Sequence, residues 1–502
     1  VTPLTEQTMT EQTGPKTVGP LPNTSTSTPL APAVFTRLVW ALFVASLGAL
    51  VARQLTGGSW EIPGLVAVDG LTVLLWVVVT FFSGIVHSYS RRYMAGSEHL
   101  TRFFTRLFGF TLSVMVLVAA DHVALFGAAW LAMGLVMADL IGTVRGWPQA
   151  QAAAALARRY FVASSLLLGA ALATLSWGTG ATTVSGISTA VDTVSTPILL
   201  VAAGLLLLAA MVQSALIPFH TWLLSSMTAP TPASALMHAG FVNAGGILLL
   251  RFAPVVTVDA TFMLLVVVVG ATSALLGKLL KAVQTDVKRK LGCSTTGQMG
   301  FMIAQAGLGF FGAAIAHLIL HGFYKAYLFL SAGEQVEHTS PEKSEPGTAT
   351  FVGGAVTPLT AVAGGALFAL LTGKGTHLDS GLLLTGLISL TTLHATWTVV
   401  RNTDLPVGIR YGVVPLVFLP AIAVYAGVYT AVTAVLSGVP LVTAPADLTL
   451  VHGLVAVAFL AAYVAIETGA YRRSRRLYVA LINASQPATE TVLTATEDYN
   501  EY

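Results

Sequence analysis

Charge is what this sequence has least of. Of its 502 residues only 9% are Asp, Glu, Lys or Arg, while 55% are apolar. A water-exposed domain carries roughly 25% charged residues, so a soluble globular fold of this length is excluded. Cysteine is nearly absent too. Cys293 alone cannot close an intramolecular disulfide and leaves no Cys-rich metal site, so it reads as structural. The net charge of +3, scattered along the chain, does not form the basic patch that nucleic-acid binding needs. The sequence has no GxxxxGKS phosphate loop, no HExxH, no Cys/His metal spacing and no nucleophile–base pairing. It reads as a chain that does no catalysis alone and holds no cofactor or metal.

What is present is long apolar runs. The mean hydropathy is +0.78, and apolar stretches recur from Val34 to Tyr471, many near the roughly 20 residues that cross a bilayer. The pattern predicts an all-α integral membrane protein of about 14 transmembrane helices. They are expected at roughly 34–53, 64–86, 104–120, 122–143, 157–177, 195–217, 219–252, 259–281, 291–309, 313–333, 352–372, 381–400, 411–437 and 449–471. The stretch 219–252 is long and carries Pro230, Pro232, Gly245 and Gly246, which predicts an interrupted helix. Irregular backbone at membrane depth survives where protein or a wet cavity satisfies it, so such breaks point to ion or substrate sites. The alternative is a proline kink that only aids packing.

Residues 1–33, rich in Thr, Pro, Ser and Gln, read as a disordered tail without the features of a signal peptide. The acidic segment from Thr489 to Tyr502 reads as a second, solvated tail. Basic residues cluster in alternate connections: Arg91, Arg92, Arg102 and Arg106; Arg145, Arg158 and Arg159; Lys288, Arg289 and Lys290; Arg472, Arg473, Arg475 and Arg476. By the positive-inside rule these connections and both termini are expected in the cytoplasm, with the chain in the cell membrane.

Chemistry concentrates in AHLILHGFYKAYLFL, residues 316–330. His317, His321 and Lys325 are four residues apart, so they share one helix face, stepping roughly 6 Å in depth each time. A neutral imidazole donates at one nitrogen and accepts at the other, which suits a proton relay bridged by water. A desolvated lysine releases its proton readily. Ionisable groups at membrane depth are functional by default; the alternative is hydrogen bonding between helices. His238, in SALMHAG within the interrupted helix, is the candidate to meet this stack, or else a satisfied core histidine. Asp286 and Lys288, in the charged turn 281–300, are placed to form an ion pair at the mouth of a path, or else to sit in a solvated loop.

The segments HTWLLSSMTAPTPASALMHAGFVNAGG (220–246), VQTDVKRKLGCSTTGQMGFM (283–302) and HLILHGFYKAYLFLSAG (317–333) occur in the order of the proton-conducting antiporter-like family, which the chain resembles over at least 120–335. That family includes the large membrane-arm subunits of respiratory complex I, Mrp cation/proton antiporter subunits and the membrane subunits of DAB-type inorganic carbon complexes. The resemblance implies fourteen core helices with two inverted five-helix repeats, each with an interrupted helix. Here the repeats would be 122–281 and 291–437, preceded by helices in 34–121 and followed by a last helix in 438–475 and a tail, 476–502. The resemblance also implies proton-path roles for His238, Lys288, His317, His321 and Lys325.

Two departures stand out. The family's usual glutamate after a tryptophan is replaced by Leu131 in AAWLAMGL, and its usual lysine before the LPxQTWL-like segment by Gln213 in AAMVQSALIPFHTWL. Losing both charges together avoids stranding one of them in the interior. Nor does the helix expected at 381–400 carry a lysine or aspartate, although His394 lies there. With GWPQAQAAAALARRYF (146–161), these departures make the chain most similar to the inorganic-carbon branch, whose members pair with a peripheral zinc protein resembling a β-carbonic anhydrase. The expectation is a membrane subunit conducting protons or another cation to energise CO2 or bicarbonate capture by that partner. The alternatives are a complex I-type or Mrp-type Na+/H+ subunit, and a scaffold that conducts nothing.

Overall fold

The computed structural model describes residues 29–332, 351–401, 406 and 408–492, with the side chains of 351, 352, 409 and 410 left aside. Of the tails expected at 1–33 and 476–502, residues 1–28 and 493–502 lie outside the described residues. Helix α1 spans Leu30–Thr56, starting four residues ahead of the boundary expected at 34. A short antiparallel hairpin follows, β1 (Trp60–Ile62) and β2 (Val66–Val68). Then come α2 (Gly70–Tyr93), α3 (Leu100–Ala119), α4 (Val123–Ile141) and α5 (Pro148–Thr179). The start of α5 precedes the expected 157 because Pro148 occupies the first turn, where its missing N–H is no loss, and the alanine-rich run behind it favours helix.

A short α6 (Val184–Ala190) leads to α7 (Thr196–Gln213). The interrupted segment comprises α8 (Thr221–Ser225), α9 (Thr231–Ala239), α10 (Ala244–Arg251) and the single turn α11 (Ala253–Val256). Next are α12 (Ala260–Val283), α13 (Val287–Gly307) and α14 (Phe311–Leu330). The second half adds α15 (Phe351–Thr372), α16 (Ser380–Val400), α17 (Val414–Val435) and α18 (Leu450–Glu467). Asp69, Asp259, Asp286 and Asp379 cap α2, α12, α13 and α16, each carboxylate accepting a first-turn N–H.

Among the described residues thirteen helical spans are long and apolar enough to cross a bilayer, so the chain is a multi-pass, all-α membrane protein. The exception of comparable length is α13, whose Lys288–Lys290 start and Gly, Ser, Thr and Gln content lower its hydropathy. It needs no apolar face toward lipid, because most of it is buried in protein. Its seam with α12 is built on glycine. A Cβ on Gly277 would lie 2.4 Å from the Gly297 nitrogen, and one on Gly300 2.5 Å from the Ala274 nitrogen. Small residues let membrane helices approach backbone to backbone.

The break in the first half is real. The α-helical path fails at Gly240, passes through a 3-10 turn at Phe241–Asn243 and resumes at Ala244. Local bonds satisfy the freed groups: Asn243 Nδ2 donates to the Ala239 carbonyl (2.7 Å), and the Gly245 N–H to Ser214 Oγ (3.2 Å). The second half has no such break among its described residues. There α16 runs unbroken, and the departure from α geometry is a π turn at Ile409–Val413. Among the described residues the interruption implied for each half is seen in the first.

The segment 476–502, expected as a tail, begins as structure. After the single turn α19 (Ala470–Arg473), α20 (Arg475–Ala484) carries the chain back onto the bundle. Gln284 Nε2 donates to the Ser485 carbonyl (2.7 Å), His220 Nε2 bonds the Ala484 carbonyl (2.8 Å), and Arg289 donates to Gln486 Oε1 (3.1 Å). Composition alone misled here, because unmatched polar groups on the bundle supply partners for a polar segment.

Candidate functional site

The site is centred on α14. His317, His321 and Lys325 lie on one face and are buried, with exposures of 9%, 6% and 0%. The two imidazoles stack 5.9 Å apart, close to parallel at 17°, which matches the rise of four helical residues. Lys325 Nζ donates to the Leu291 carbonyl at 2.8 Å, reaching across to α13. Gly322, between them, allows the approach of α9, since a Cβ there would fall 3.1 Å from the Ala239 carbonyl oxygen.

That approach brings His238 to the stack. Its ring lies 4.3 Å from the Phe329 ring at 18°, and Nδ1 bonds Thr295 Oγ1 at 3.0 Å. Four elements therefore converge: α9, α10, α13 and α14. Neither ring nitrogen of His321 meets a protein partner, nor does Nε2 of His317 or of His238. Buried polar atoms in native proteins are satisfied by water when protein does not serve them. Imidazoles with free nitrogens, spaced for bridging water, form an arrangement able to pass a proton in either direction.

Lys288 stands at the start of α13 and donates to the carbonyls of Ala229 (3.2 Å) and Met227 (3.4 Å), just ahead of α9. It thereby ties the loop ahead of α9 to α13. The expected Asp286–Lys288 pair does not form. Asp286 is the N-cap of α13, its carboxylate taken by the Arg289 N–H at 2.7 Å, and capping turns it away from the lysine two residues on.

Leu131 is half-buried on α4. Gln213 ends α7 at 0% exposure, with neither its Oε1 nor its Nε2 hydrogen-bonded in the protein. The helices around them are linked by neutral groups. Trp130 Nε1 donates to Ser164 Oγ (3.1 Å), and that hydroxyl donates to the Ala209 carbonyl (3.0 Å). Hydroxyl and indole groups thus join α4, α5 and α7.

Other polar groups were not singled out from the sequence as site residues. A cavity of about 420 Å³ lies among α12, α13, α14, α16, α17 and α18, and both His317 and His394 line it. His394 Nδ1 contacts Glu467 Oε1 at 2.6 Å, and Arg401 approaches the other carboxylate oxygen at 3.6 Å. Lys278 and Lys281 line the cavity from α12. A lysine inside the apolar run SALLGKLLKAV was a signal available in the sequence; the distant Glu467 was not. Among the described residues no cluster of His, Cys, Asp and Glu is arranged to hold a metal ion.

With this geometry in place, comparison with known proteins is informative. Residues 120–399 match the family described as NADH:quinone oxidoreductase/Mrp antiporter, TM, and residues 55–104 match the complex I chain 5 N-terminus. The larger match contains every residue of the α14 site, and Glu467 lies beyond it. The probable inorganic carbon transporter subunit DabB1 of Halothiobacillus neapolitanus is 38% identical over 296 residues, covering 58% of this chain and 52% of that one. NADH-quinone oxidoreductase subunit L of Mycobacterium tuberculosis is 33% identical over 301 residues, covering 58% and 47%. The chain thus spans about half the length of the curated relatives it matches. Among solved structures, the Mrp complex from Dietzia sp. aligns with 91% of this chain and 50% of its own, at 25% identity and a TM-score of 0.56.

Proposed function

The chain belongs to the NADH:quinone oxidoreductase/Mrp antiporter membrane family, and from that premise we propose that it is the ion-conducting membrane subunit of an inorganic carbon uptake complex. In this reading it moves protons, or another cation, through His238, His321, His317 and Lys325, with Lys288 at the mouth. The energy released drives CO2 or bicarbonate capture by a peripheral partner of the DabA type, a zinc protein resembling a carbonic anhydrase. The membrane is the cell membrane, with both termini on the cytoplasmic side. The first repeat is 122–281 and the second 291–437.

The observation that carries the reading is the buried stack on α14, with an uncompensated lysine at one end and a histidine facing a cavity at the other. Three ionisable groups in register are expensive to keep at membrane depth without a transport role. The carbon branch is favoured by likeness to the probable inorganic carbon transporter subunits. Neutral Leu131 and Gln213, where pumping relatives carry charge, weigh the same way. The likeness to subunit L and to the Mrp complex supports a second reading, a respiratory or Na+/H+ antiporter subunit.

Co-purification with the partner, followed by uptake of labelled inorganic carbon in cells carrying both proteins, tests the proposal. Uptake should collapse on addition of a protonophore with ATP held constant. Uptake that persists through both protonophore and sodium removal would replace this reading with that of a docking scaffold. Co-purification of quinone-reducing or Mrp subunits would favour the second reading.

A further inference from the structure

The 420 Å³ cavity gives His317 an opening separate from the Lys325 end of the stack. Its wall is chemically one-sided. Lys278 and Lys281 are half-buried on α12 and line the cavity, and no carboxylate lines it. Neither lysine makes a hydrogen bond or ion pair among the described residues. The nearby carboxylate is committed: Glu467 is held by His394 at 2.6 Å and approached by Arg401 at 3.6 Å. The titratable groups lining the space are Lys278 and Lys281 from α12, His317 from α14, His394 from α16, Tyr425 from α17 and Tyr463 from α18, with Glu467 and Arg401 paired beside it. Two lysines line the cavity, and the carboxylate beside it is already paired.

We propose that Lys278 and Lys281 make this cavity a cation-rejecting vestibule, so that the charge reaching His317 is a proton and not sodium or potassium. The inference rests on the conduction reading above and names the ion. An alkali cation needs several oxygen ligands in place of its hydration shell, and rings of Lys or Arg exclude cations from pores. A half-buried lysine keeps its ammonium toward water, and here both lysines line the cavity. A proton escapes this exclusion because it need not travel as a free ion. Lys278 hands a proton to water and takes another, water passes one to a ring nitrogen of His317, and the opposite nitrogen releases one toward His321. Sodium has no such route through an amine.

Reporter cysteines test this without requiring conduction. Cys293 is the only native cysteine and is buried, so the full chain in native membranes is a quiet background. Gln298→Cys on α13 and Thr391→Cys on α16 place thiols on facing walls at exposed positions lining the cavity. Each is reacted with anionic sulfonatoethyl and cationic trimethylammonioethyl methanethiosulfonate, with rates normalised to a free thiol. The anionic reagent should be favoured roughly tenfold at either position, the ratio that a difference of about 1.4 kcal/mol produces. The preference should vanish when Lys278→Gln and Lys281→Gln are combined. Equal rates, a faster cationic reagent, or no reaction with either reagent at both positions would overturn the proposal. Carbon uptake that survives both a protonophore and sodium removal, with the preference intact, would instead count against the conduction reading, so the two failures are distinguishable.

Discussion

Lys325 sits at 0% exposure with its ammonium against the Leu291 carbonyl, and that carbonyl also accepts from Thr295 Oγ1 at 3.0 Å. Removing the lysine therefore leaves no acceptor stranded, whereas keeping it holds a charge-bearing group out of water. Lys325→Met should insert normally and keep its thermal midpoint, while proton transfer falls by about a hundredfold or more, the scale of losing a proton-transferring side chain. Flux and detergent-solution stability measured on the same preparation decide this; wild-type flux would remove Lys325 from the path. The stack was legible in the sequence because a four-residue repeat on a helix leaves one geometry open to the side chains. The Asp286–Lys288 pair was not, because pairing and capping are spaced alike in sequence and are separated by backbone direction alone. The His394–Glu467 contact joins residues 73 apart, and nothing local announces it.

At the scale of elements, two joints hold the site in place. Arg251, the last residue of α10, pairs with Asp69 and also donates to the Val118 carbonyl (2.8 Å) and Thr72 Oγ1 (3.2 Å). This anchors the far end of the interrupted segment to α2 and α3. Asp69→Asn leaves the guanidinium without its counter-charge and should lower stability by about 3 kcal/mol. Burial works against ionisation of Asp69, but the Arg251 charge and the bonds from Arg251 and Thr72 outweigh it and hold the carboxyl below its usual value. A depressed native pKa means the contribution is whole above about pH 4 and is lost as pH falls through the native value. Wild type should thus lose stability on acidification in that window more steeply than Asp69→Asn. Parallel titrations of the two would refute the anchor.

The second joint is the glycine seam of α12 and α13. Gly277→Ala puts a methyl group 2.4 Å from backbone that cannot yield, and should cost about 1–3 kcal/mol as overpacking does. Gly204→Ala on α7, with open space around it, is the control and should be neutral in thermal melts. Helix number and order could be read from hydropathy, since a bilayer admits few alternatives. The docking of α20 could not, because it depends on partners distant in the chain.

For the whole molecule, the proposed function couples the buried relay to a partner that does the chemistry. One proton crossing 100 mV releases about 2.3 kcal/mol, enough for a product ratio of roughly fiftyfold, so net accumulation needs no ATP hydrolysis in this chain. The link between relay and transport is the central claim. Its most direct test is proton flux into pyranine-loaded proteoliposomes holding the purified complex, with inorganic carbon supplied and a potential imposed, comparing wild type with the His317→Phe, His321→Phe double variant. The account predicts acidification with the wild type, in sodium-free buffer, and a trace no different from empty liposomes with the double variant at matched incorporation. Equal acidification by both would contradict it.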